Sequence, residues 1–250
     1  MQGVLDAASA LCSRDENLEA LKLLEEALGR FPNHLGLKTM LGIVLSRLGR
    51  DNEAEAVLRS VLRRDPSDER ATSALGRLLD NSLRTEEAER MYRGLLDRKP
   101  ASHTVLDDLC DLLLDAEQFD EAHRLAKRHA EQFSTTYEAY SPLQHVLQAE
   151  EDNISDETDE SEFDRKGLTK LASNLIEQFE IITNMEKSIG SDILAAIGHA
   201  WDLDEDAIRI AAELSRVEDA FKKHRASMPP ALQNGIQSVH VEMDKRAKRT

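Results

Sequence analysis

Apolar residues recur every 34 positions over the first 136 residues of the chain. An alanine stands at positions 20, 54, 88 and 122, and a leucine precedes each alanine by nine residues. Within each 34-residue unit, positions 7 and 11 form one apolar stripe at helical spacing, and positions 20, 24 and 27 form a second stripe. No insertion or deletion interrupts the pattern, so it predicts four pairs of amphipathic helices.

Two further positions of the unit indicate how its helices meet. Position 8 is small in every copy, which lets the second helix approach the first closely; it is occupied by Ala8, Gly42, Gly76 and Cys110. A proline at position 32 of the first three copies ends the second helix, at Pro32, Pro66 and Pro100. Neither helix can bury its stripe alone, so successive units are expected to stack.

This pattern resembles the tetratricopeptide repeat (TPR), a helix–turn–helix unit of the same period. The small residue at position 8, the alanine at 20 and the proline at 32 are the family's most specific positions. The fourth copy departs from the family pattern, with His129 at position 27, where a small residue is usual, and Ser134 in place of proline. The resemblance implies an all-α TPR solenoid of four repeats.

The chain beyond the repeats divides by composition. Tyr140, Leu143 and Leu147 continue the register and predict a capping helix over residues 137–149. Residues 151–165 carry eight acidic residues against one basic, which predicts a solvated linker, with a phosphoregulated or docking segment as the alternative. The predicted domains are the solenoid with its capping helix at 1–149, an acidic linker at 150–165 and a helical region at 166–250.

The C-terminal region is predicted to be helical from its own stripes and resembles no family. A first helix is expected around residues 168–182, and a break at Gly190–Asp192 precedes a short helix up to Trp201. The next stripe consists of Ile208, Ala211, Leu214, Val217 and Phe221. A last, weaker helix is expected at Ile236, Val239 and Met243, followed by a basic tail.

Charge and composition exclude several classes of protein. A net charge of −16 disfavours nucleic acid as a partner, because such binding relies on Lys and Arg neutralising phosphates. No apolar stretch approaches the roughly 18 residues of a membrane span, and the N-terminus lacks the basic start of a signal peptide. Cys12 and Cys110 are too far apart in sequence to suggest a disulfide framework. We therefore expect a cytoplasmic protein without membrane contact.

Motifs for catalysis are missing from the sequence. It contains neither a glycine-rich phosphate loop nor a G-x-S-x-G elbow, and no two histidines have the H-x-x-x-H spacing of a helical metal site. His123 and His129 are interpreted as surface or interface residues rather than ligands. We expect no catalytic residue, no metal site and no cofactor, and therefore a protein that is not an enzyme.

The resemblance implies where a partner would bind. In TPR proteins the first helix of each repeat lines a concave groove, chiefly with positions 2, 5, 6, 9, 12 and 13. The groove predicted here has an apolar patch, a basic middle and an aspartate-rich end, which favours a basic segment of a protein partner; a simple solvated face is the alternative. The predicted partner-binding residues are Leu5, Met40, Ile43, Arg47, Arg70, Arg77, Asp107, Asp108, Asp111 and Asp115.

One TPR subgroup clamps the C-terminal carboxylate of chaperones with Lys, Asn and Arg side chains on three groove helices. The matching positions here are Leu5, Ser9, Met40, Arg70 and Ala74, of which Arg70 alone keeps the charge, so a chaperone clamp is not expected. The main hypothesis is an adaptor that binds a partner segment in the groove and makes a second contact through the C-terminal helices.

Alternatives of other classes stay open. One is a regulatory subunit of a nucleic-acid complex, using Lys222, Lys223, Arg225 and the basic tail. Another is a small helical enzyme domain at the C-terminus. The basic tail from Lys245 to Arg249 also has the charge to dock on the aspartates of the groove, against the alternative of two independent modules.

Overall fold

The computed structural model describes residues 2–133, 139–157, 165–189, 203–223 and 228–247, where it contains twelve α-helices and no β-strand. The chain divides into two compact units, Met1–Ala116 and Glu117–Thr250. The all-α fold predicted from the sequence is confirmed, but the division falls inside the fourth repeat rather than after the capping helix.

The first unit consists of three helical hairpins and one further helix, in the 34-residue register that the sequence predicts. The first helices end 34 residues apart, at Ser13, Arg47, Asn81 and Asp115. The helices are α1 (Gln2–Ser13), α2 (Asn17–Arg30), α3 (Leu35–Arg47), α4 (Asp51–Leu62), α5 (Glu69–Asn81), α6 (Thr85–Arg98) and α7 (His103–Asp115).

The turn inside each hairpin uses a left-handed residue at position 15. The φ angle is 60° at Asp15, 71° at Gly49 and 58° at Leu83. The N–H of the following residue donates back to the carbonyl five residues earlier, at 2.9 Å in all three turns. This hydrogen bond is that of a Schellman cap, which favours glycine because other residues are strained at positive φ. Only the second of these repeats has glycine there, so residue type does not indicate the turn in the other two.

Close packing inside the hairpins explains the small residue at position 8. A Cβ atom on Gly42 would lie 2.6 Å from Cγ of Leu58, and one on Gly76 would lie 2.2 Å from Cζ of Tyr92. Leu58 and Tyr92 are buried at 0% and 1% exposure. The second helix therefore packs its position-24 side chain directly onto the backbone of the first, as the sequence predicts.

The second unit begins with the second helix of the fourth repeat. It contains α8 (Phe119–Gln132), α9 (Ser141–Glu157), α10 (Arg165–Ile189), α11 (Leu203–Lys223) and α12 (Pro230–Ala247). Helix α9 packs against α8 on one side and α10 on the other, and α10 packs against both α11 and α12. The helix predicted at residues 137–149 corresponds to α9, which begins four residues later and ends eight residues later than expected.

A second hydrophobic core joins α10, α11 and α12. Its large members include Leu175, Phe179, Leu214, Phe221 and Ile236. The stripe predicted on α11 is shifted by one residue at its start: Ile208 is 58% exposed, and Ala207 and Ile210 are buried instead. The short helix predicted up to Trp201 lies outside the described residues.

The predicted acidic linker is wrong over its first half. Residues 150–157 form the last two turns of α9, and Glu150 is buried. Side-chain partners from neighbouring helices, described below, explain why Glu150 and Glu151 are held in this helix. Residues 158–164 lie outside the described residues.

The predicted basic tail begins inside α12 rather than after it. Lys245 Nζ lies 2.9 Å from Glu242 Oε2, and the Arg246 guanidinium lies over the Phe179 ring, 5.6 Å from its centroid. Part of the tail's positive charge is therefore already engaged within the second unit. Residues 248–250 lie outside the described residues.

Candidate partner-binding surfaces

The predicted groove residues lie on α1, α3, α5 and α7, and each of these first helices packs against the next within the first unit. The apolar patch is only partly accessible. Leu5 and Ile43 are half-buried, whereas Met40 is 4% exposed and belongs to the core. The prediction of Met40 as a contact residue is therefore corrected, because its side chain offers almost no surface to a partner.

The three predicted arginines differ in their surroundings. Arg47 Nη1 donates to the carbonyl oxygen of Cys12, at 2.9 Å, and so links α3 to the C-terminal end of α1. A cation there complements the partial negative charge of a helix C-terminus. Arg70 is exposed on the first turn of α5. Arg77 reaches across from α5 to α7.

Arg77 pairs with one of the predicted aspartates. Its Nε and Nη2 atoms lie 2.8 and 2.6 Å from Oδ1 of Asp108. Burial alone would lower the pKa of Arg77, but this hydrogen bond and the charge of Asp108 raise it overall. The Asp108 side chain is only 1% exposed, whereas that of Arg77 is 66% exposed. The prediction that the basic middle and the acidic end are separate is wrong at this point.

The remaining aspartates form one face of α7, which we call the aspartate face: Asp107, Asp111 and Asp115. Their i,i+4 spacing places them on the same side of the helix. Asp111 and Asp115 are exposed, and Asp107 is half-buried. Helix α7 has no basic residue in its last turn, where Asp115 stands. The face is thus acidic near a helix end that already carries partial negative charge.

A sequence comparison with known families agrees with this geometry. A tetratricopeptide repeat family model matches residues 13–78. Residues 13–78 belong to the tetratricopeptide repeat family, and the same 34-residue register of helices continues through α7. No curated protein matches it.

Solved structures share the TPR fold at low sequence identity. TTC0263, a thermophilic TPR protein of Thermus thermophilus, is 16% identical with a TM-score of 0.52; the match covers 85% of this chain and 98% of that one. A human IFIT1 dimer with m7Gppp-AAAA is 16% identical with a TM-score of 0.50, covering 92% of this chain and 50% of that one.

A larger assembly is also similar. A chain in the structure of Naa15/Naa10 bound to HypK-THB is 16% identical with a TM-score of 0.49, covering 95% of this chain. This chain spans only 39% of the length of that protein.

A partly buried polar network in the second unit was not predicted from the sequence. His123 Nδ1 lies 3.1 Å from Glu150 Oε1, and its Nε2 lies 3.2 Å from Glu177 Oε2. Lys127 Nζ lies 2.8 Å from the other oxygen of Glu177. Asn174 donates to both Glu150 and the Leu147 carbonyl, at 3.1 and 3.0 Å. The network joins α8, α9 and α10.

The same network extends to α11 through Glu151. Arg209 Nη1 lies 2.9 Å from Glu151 Oε1, and Gln178 donates to the other oxygen of Glu151 at 2.8 Å. Arg209 also donates to Gln178 at 3.1 Å. Two consecutive glutamates that the sequence suggested as linker therefore hold four helices together.

The hydrogen bonds of His123 with Glu150 and Glu177 raise the pKa of the imidazole to about 9. Burial would raise the pKa of Glu177, but its bonds from His123 and Lys127 lower it to about 2. His123 therefore lies at an interface between helices, one of the two locations expected for it, although the sequence did not indicate its glutamate partners. A signal existed in the repeat: His123 and Lys127 hold positions 21 and 25, where the second and third copies have Glu–Arg pairs.

Neither cysteine is arranged as a nucleophile. Both side chains are buried, and neither forms a disulfide. Burial, followed by the charges of Asp107 and Asp111, raises the pKa of Cys110 to about 12. Burial also raises the pKa of Cys12, although Arg47 acts in the opposite direction.

Metal sites and membrane spans are both absent from the described ranges. No three His, Cys, Asp or Glu side chains are grouped there in a way that would hold a metal ion. No helix in the same ranges has the length and hydropathy needed to cross a bilayer.

Proposed function

We propose that this TPR protein is an adaptor that binds a basic segment of a partner protein along the groove of α1, α3, α5 and α7. A second contact is made through the C-terminal helices. The fold is a scaffold for protein–protein interaction, and the aspartate face is the observation that carries the proposal.

The aspartate face concentrates like charge on one side of α7. Like charges at i,i+4 spacing on a helix repel by a few tenths of a kcal/mol per pair. Asp115 is also unfavourable next to the negative end of the helix dipole. The Asp108 side chain is buried against Arg77, and the side chains of Asp111 and Asp115 are exposed. A bound Lys or Arg side chain would relieve this repulsion, which is what a site for a basic segment requires.

The rest of the groove supports a segment that is not uniformly basic. Leu5 and Ile43 are half-buried on neighbouring helices and leave apolar surface for a side chain of the partner. The exposed Arg70 disfavours a second cation next to it. We therefore expect a segment with an apolar residue near α1 and α3 and basic residues near α7. Electrostatic matching of this kind sets specificity and association rate more than affinity.

The second contact rests on exposed apolar side chains of the second unit. Ile208 on α11 is 58% exposed and Val241 on α12 is 43% exposed. Each offers apolar area to a partner surface, although single exposed residues of this kind also occur on ordinary surfaces. If these residues pack against a partner, leucine at both positions should preserve partner binding and serine should weaken it. If they belong to a neutral surface, neither substitution should change partner binding.

The experiment compares partner capture by the wild type and the double variant Asp111→Asn/Asp115→Asn. The full chain is tagged, purified with its partners and analysed by quantitative mass spectrometry. A specific partner should be depleted about tenfold with the variant, as expected for losing two charge contacts. The basic segment of that partner is then titrated as a synthetic peptide.

The matched control is Glu26→Gln/Asp97→Asn, which changes the net charge by the same amount on the second helices. Both control residues are exposed, on α2 and α6. The control should retain partner capture. Equal capture by all three proteins would contradict the proposal.

A further inference from the structure

A cleft between the second helices of the second and third repeats is lined by four arginines. It has a volume of about 390 Å³ and lies between α4 and α6, with part of its floor from α5. The arginines are Arg59, Arg63, Arg90 and Arg98, and none of the described residues that line the cleft is acidic. Such a concentration of positive charge is unexpected in a chain of net charge −16.

The shape of the cleft comes from the repeat, but its charge does not. An equivalent cleft of about 340 Å³ occurs one repeat earlier, where Leu28, Pro32 and Leu41 take the places of Leu62, Pro66 and Leu75. At three of the four arginine positions that repeat has Glu25, Gly29 and Ala56; the fourth is Arg64. The helices thus form this cleft without the additional arginines.

Two of the arginines make little or no stabilising contact with the described residues of the protein. The Arg63 side chain is exposed, and no hydrogen bond or ion pair joins it to the described residues. Arg90 lies 3.8 Å from Glu86, with side chains that are 70% and 94% exposed, so this pair contributes little. Both guanidiniums therefore retain their capacity to bind an anion.

The other two arginines are partly engaged. Arg59 pairs with Glu55 and Glu87, at 2.8 and 2.6 Å, so much of its charge is offset. Arg98 donates one N–H to the carbonyl of Pro66, at 2.9 Å, and keeps further donors. The anion-binding capacity of the cleft hence rests on Arg63, Arg90 and Arg98.

The floor of the cleft indicates which kind of anion fits. The half-buried Leu62 and Met91 line it above the buried Leu75, which provides apolar surface beneath the guanidiniums. None of its described lining residues is aromatic, whereas single-stranded nucleic acid is usually held by stacking bases on aromatic rings. The guanidinium of arginine forms bidentate hydrogen bonds with carboxylates, and an apolar side chain of the same ligand would pack on the floor of the cleft.

We propose that this cleft is a second binding site, for an acidic segment of a partner protein that carries one large apolar side chain. Aspartates or glutamates of the segment bind Arg63, Arg90 and Arg98, while the apolar side chain packs on Leu62 and Met91. The site is separate from the groove of the first helices and has the opposite charge preference. A single TPR chain thereby distinguishes two partner segments by the sign of their charge.

The test is a fluorescence-anisotropy titration of the full chain with a labelled Asp/Glu-rich peptide that has a central leucine. The variant Arg63→Glu/Arg90→Glu should weaken binding at least about tenfold, because two attractive contacts become repulsive. Raising the salt from about 50 to 300 mM should weaken binding to the wild type. Replacing the leucine by serine in the peptide should also weaken binding.

The matched control is Lys22→Glu/Arg128→Glu, at exposed positions outside the cleft. Each double variant changes the net charge from −16 by −4, to −20, so a general charge effect would weaken both equally. Arg63→Gln/Arg90→Gln serves as a milder variant if the reversal of charge disturbs folding. The groove variant Asp111→Asn/Asp115→Asn should bind the acidic peptide as well as the wild type does.

Several results would overturn the proposal. Equal weakening by the control variant would show that net charge alone governs binding. Equal affinity for the leucine and serine peptides would remove the role of the apolar floor. An oligonucleotide of equal charge that binds as tightly as the peptide would indicate phosphate recognition instead, and absence of peptide binding by the wild type would contradict the site altogether.

Discussion

At the scale of single residues, position 15 shows how the repeat imposes a backbone conformation that the sequence does not always suit. Gly49 adopts a φ of 71° at no steric cost, whereas Leu83 adopts 58° in the equivalent turn. The Leu83 side chain is 93% exposed, so no packing compensates for the strain. The turn is held by the helices around it rather than by its own residue.

Exchanging these two residue types should therefore have opposite effects. Leu83→Gly is expected to raise the free energy of unfolding by about 0.5–1 kcal/mol, because it relieves the left-handed strain. Gly49→Leu is expected to lower it by about 1 kcal/mol for the same reason. Urea unfolding monitored by circular dichroism measures both changes. Shifts of the same sign in the two variants would contradict the strain explanation.

The sequence pattern also does not predict which groove residues are exposed and which are buried. Position in the repeat correctly assigns Leu5, Arg70 and Asp111 to the first helices but cannot give their exposure. Met40 shares a repeat position with Asp6, yet it is buried and Asp6 is exposed. Asp108 is paired with Arg77, which stands 31 residues earlier and reaches it from another helix. Such contacts depend on side-chain length and helix spacing, which a one-dimensional pattern does not contain.

At the scale of helices, the periodic part of the chain is predictable and the rest is only partly so. The 34-residue register gives α1 to α8 because the apolar stripes of these helices recur at the same repeat positions. Helix α9 extends past its predicted end because Glu150 and Glu151 have partners on α8, α10 and α11. The acidic composition of this segment favours a linker only when those partners are unknown.

The polar network of α8, α9 and α10 should make stability depend on pH. His123 has a folded pKa of about 9, above its ordinary value near 6.5, so its contribution is complete below about pH 6.5 and is lost as the pH rises through 9. Glu177 has a folded pKa of about 2, so its contribution is present above about pH 4.5 and is lost as the pH falls through 2. Glu150, Glu177 and Lys127 are the charged groups that contact this part of the network.

The variant His123→Gln should unfold more easily than the wild type by about 2–4 kcal/mol near pH 6. This difference should shrink towards about pH 9.5, where the histidine of the wild type has lost its proton. Denaturant unfolding at several pH values measures it, with His145→Gln on α9 as an exposed control. A difference that stays constant over this range would contradict the role of the charged imidazole.

At the scale of the whole molecule, the protein has both an acidic and a basic surface, although its net charge is negative. The aspartate face of α7 is acidic, whereas the cleft between α4 and α6 is lined by four arginines. None of the described residues that line this cleft is acidic. From the sequence, the net charge only disfavoured nucleic acid as a partner, and the aspartates of the predicted groove favoured a basic segment. The basic cleft was not predicted because its arginines come from two repeats and stand 27 to 39 positions apart in the sequence. Each arginine, taken alone, has the sequence pattern of an ordinary helix-surface residue.

The central claim is that a partner segment lies along the groove of the first helices, and site-specific photocrosslinking tests it most directly. A photoreactive amino acid is placed at Ile43 or Thr104 in the groove, and at Lys22 or Glu26 on α2 as controls. The partner captured by the wild type should crosslink from both groove positions, through a basic segment, and from neither control position. Crosslinks from α2 without any from Ile43 or Thr104 would contradict the account.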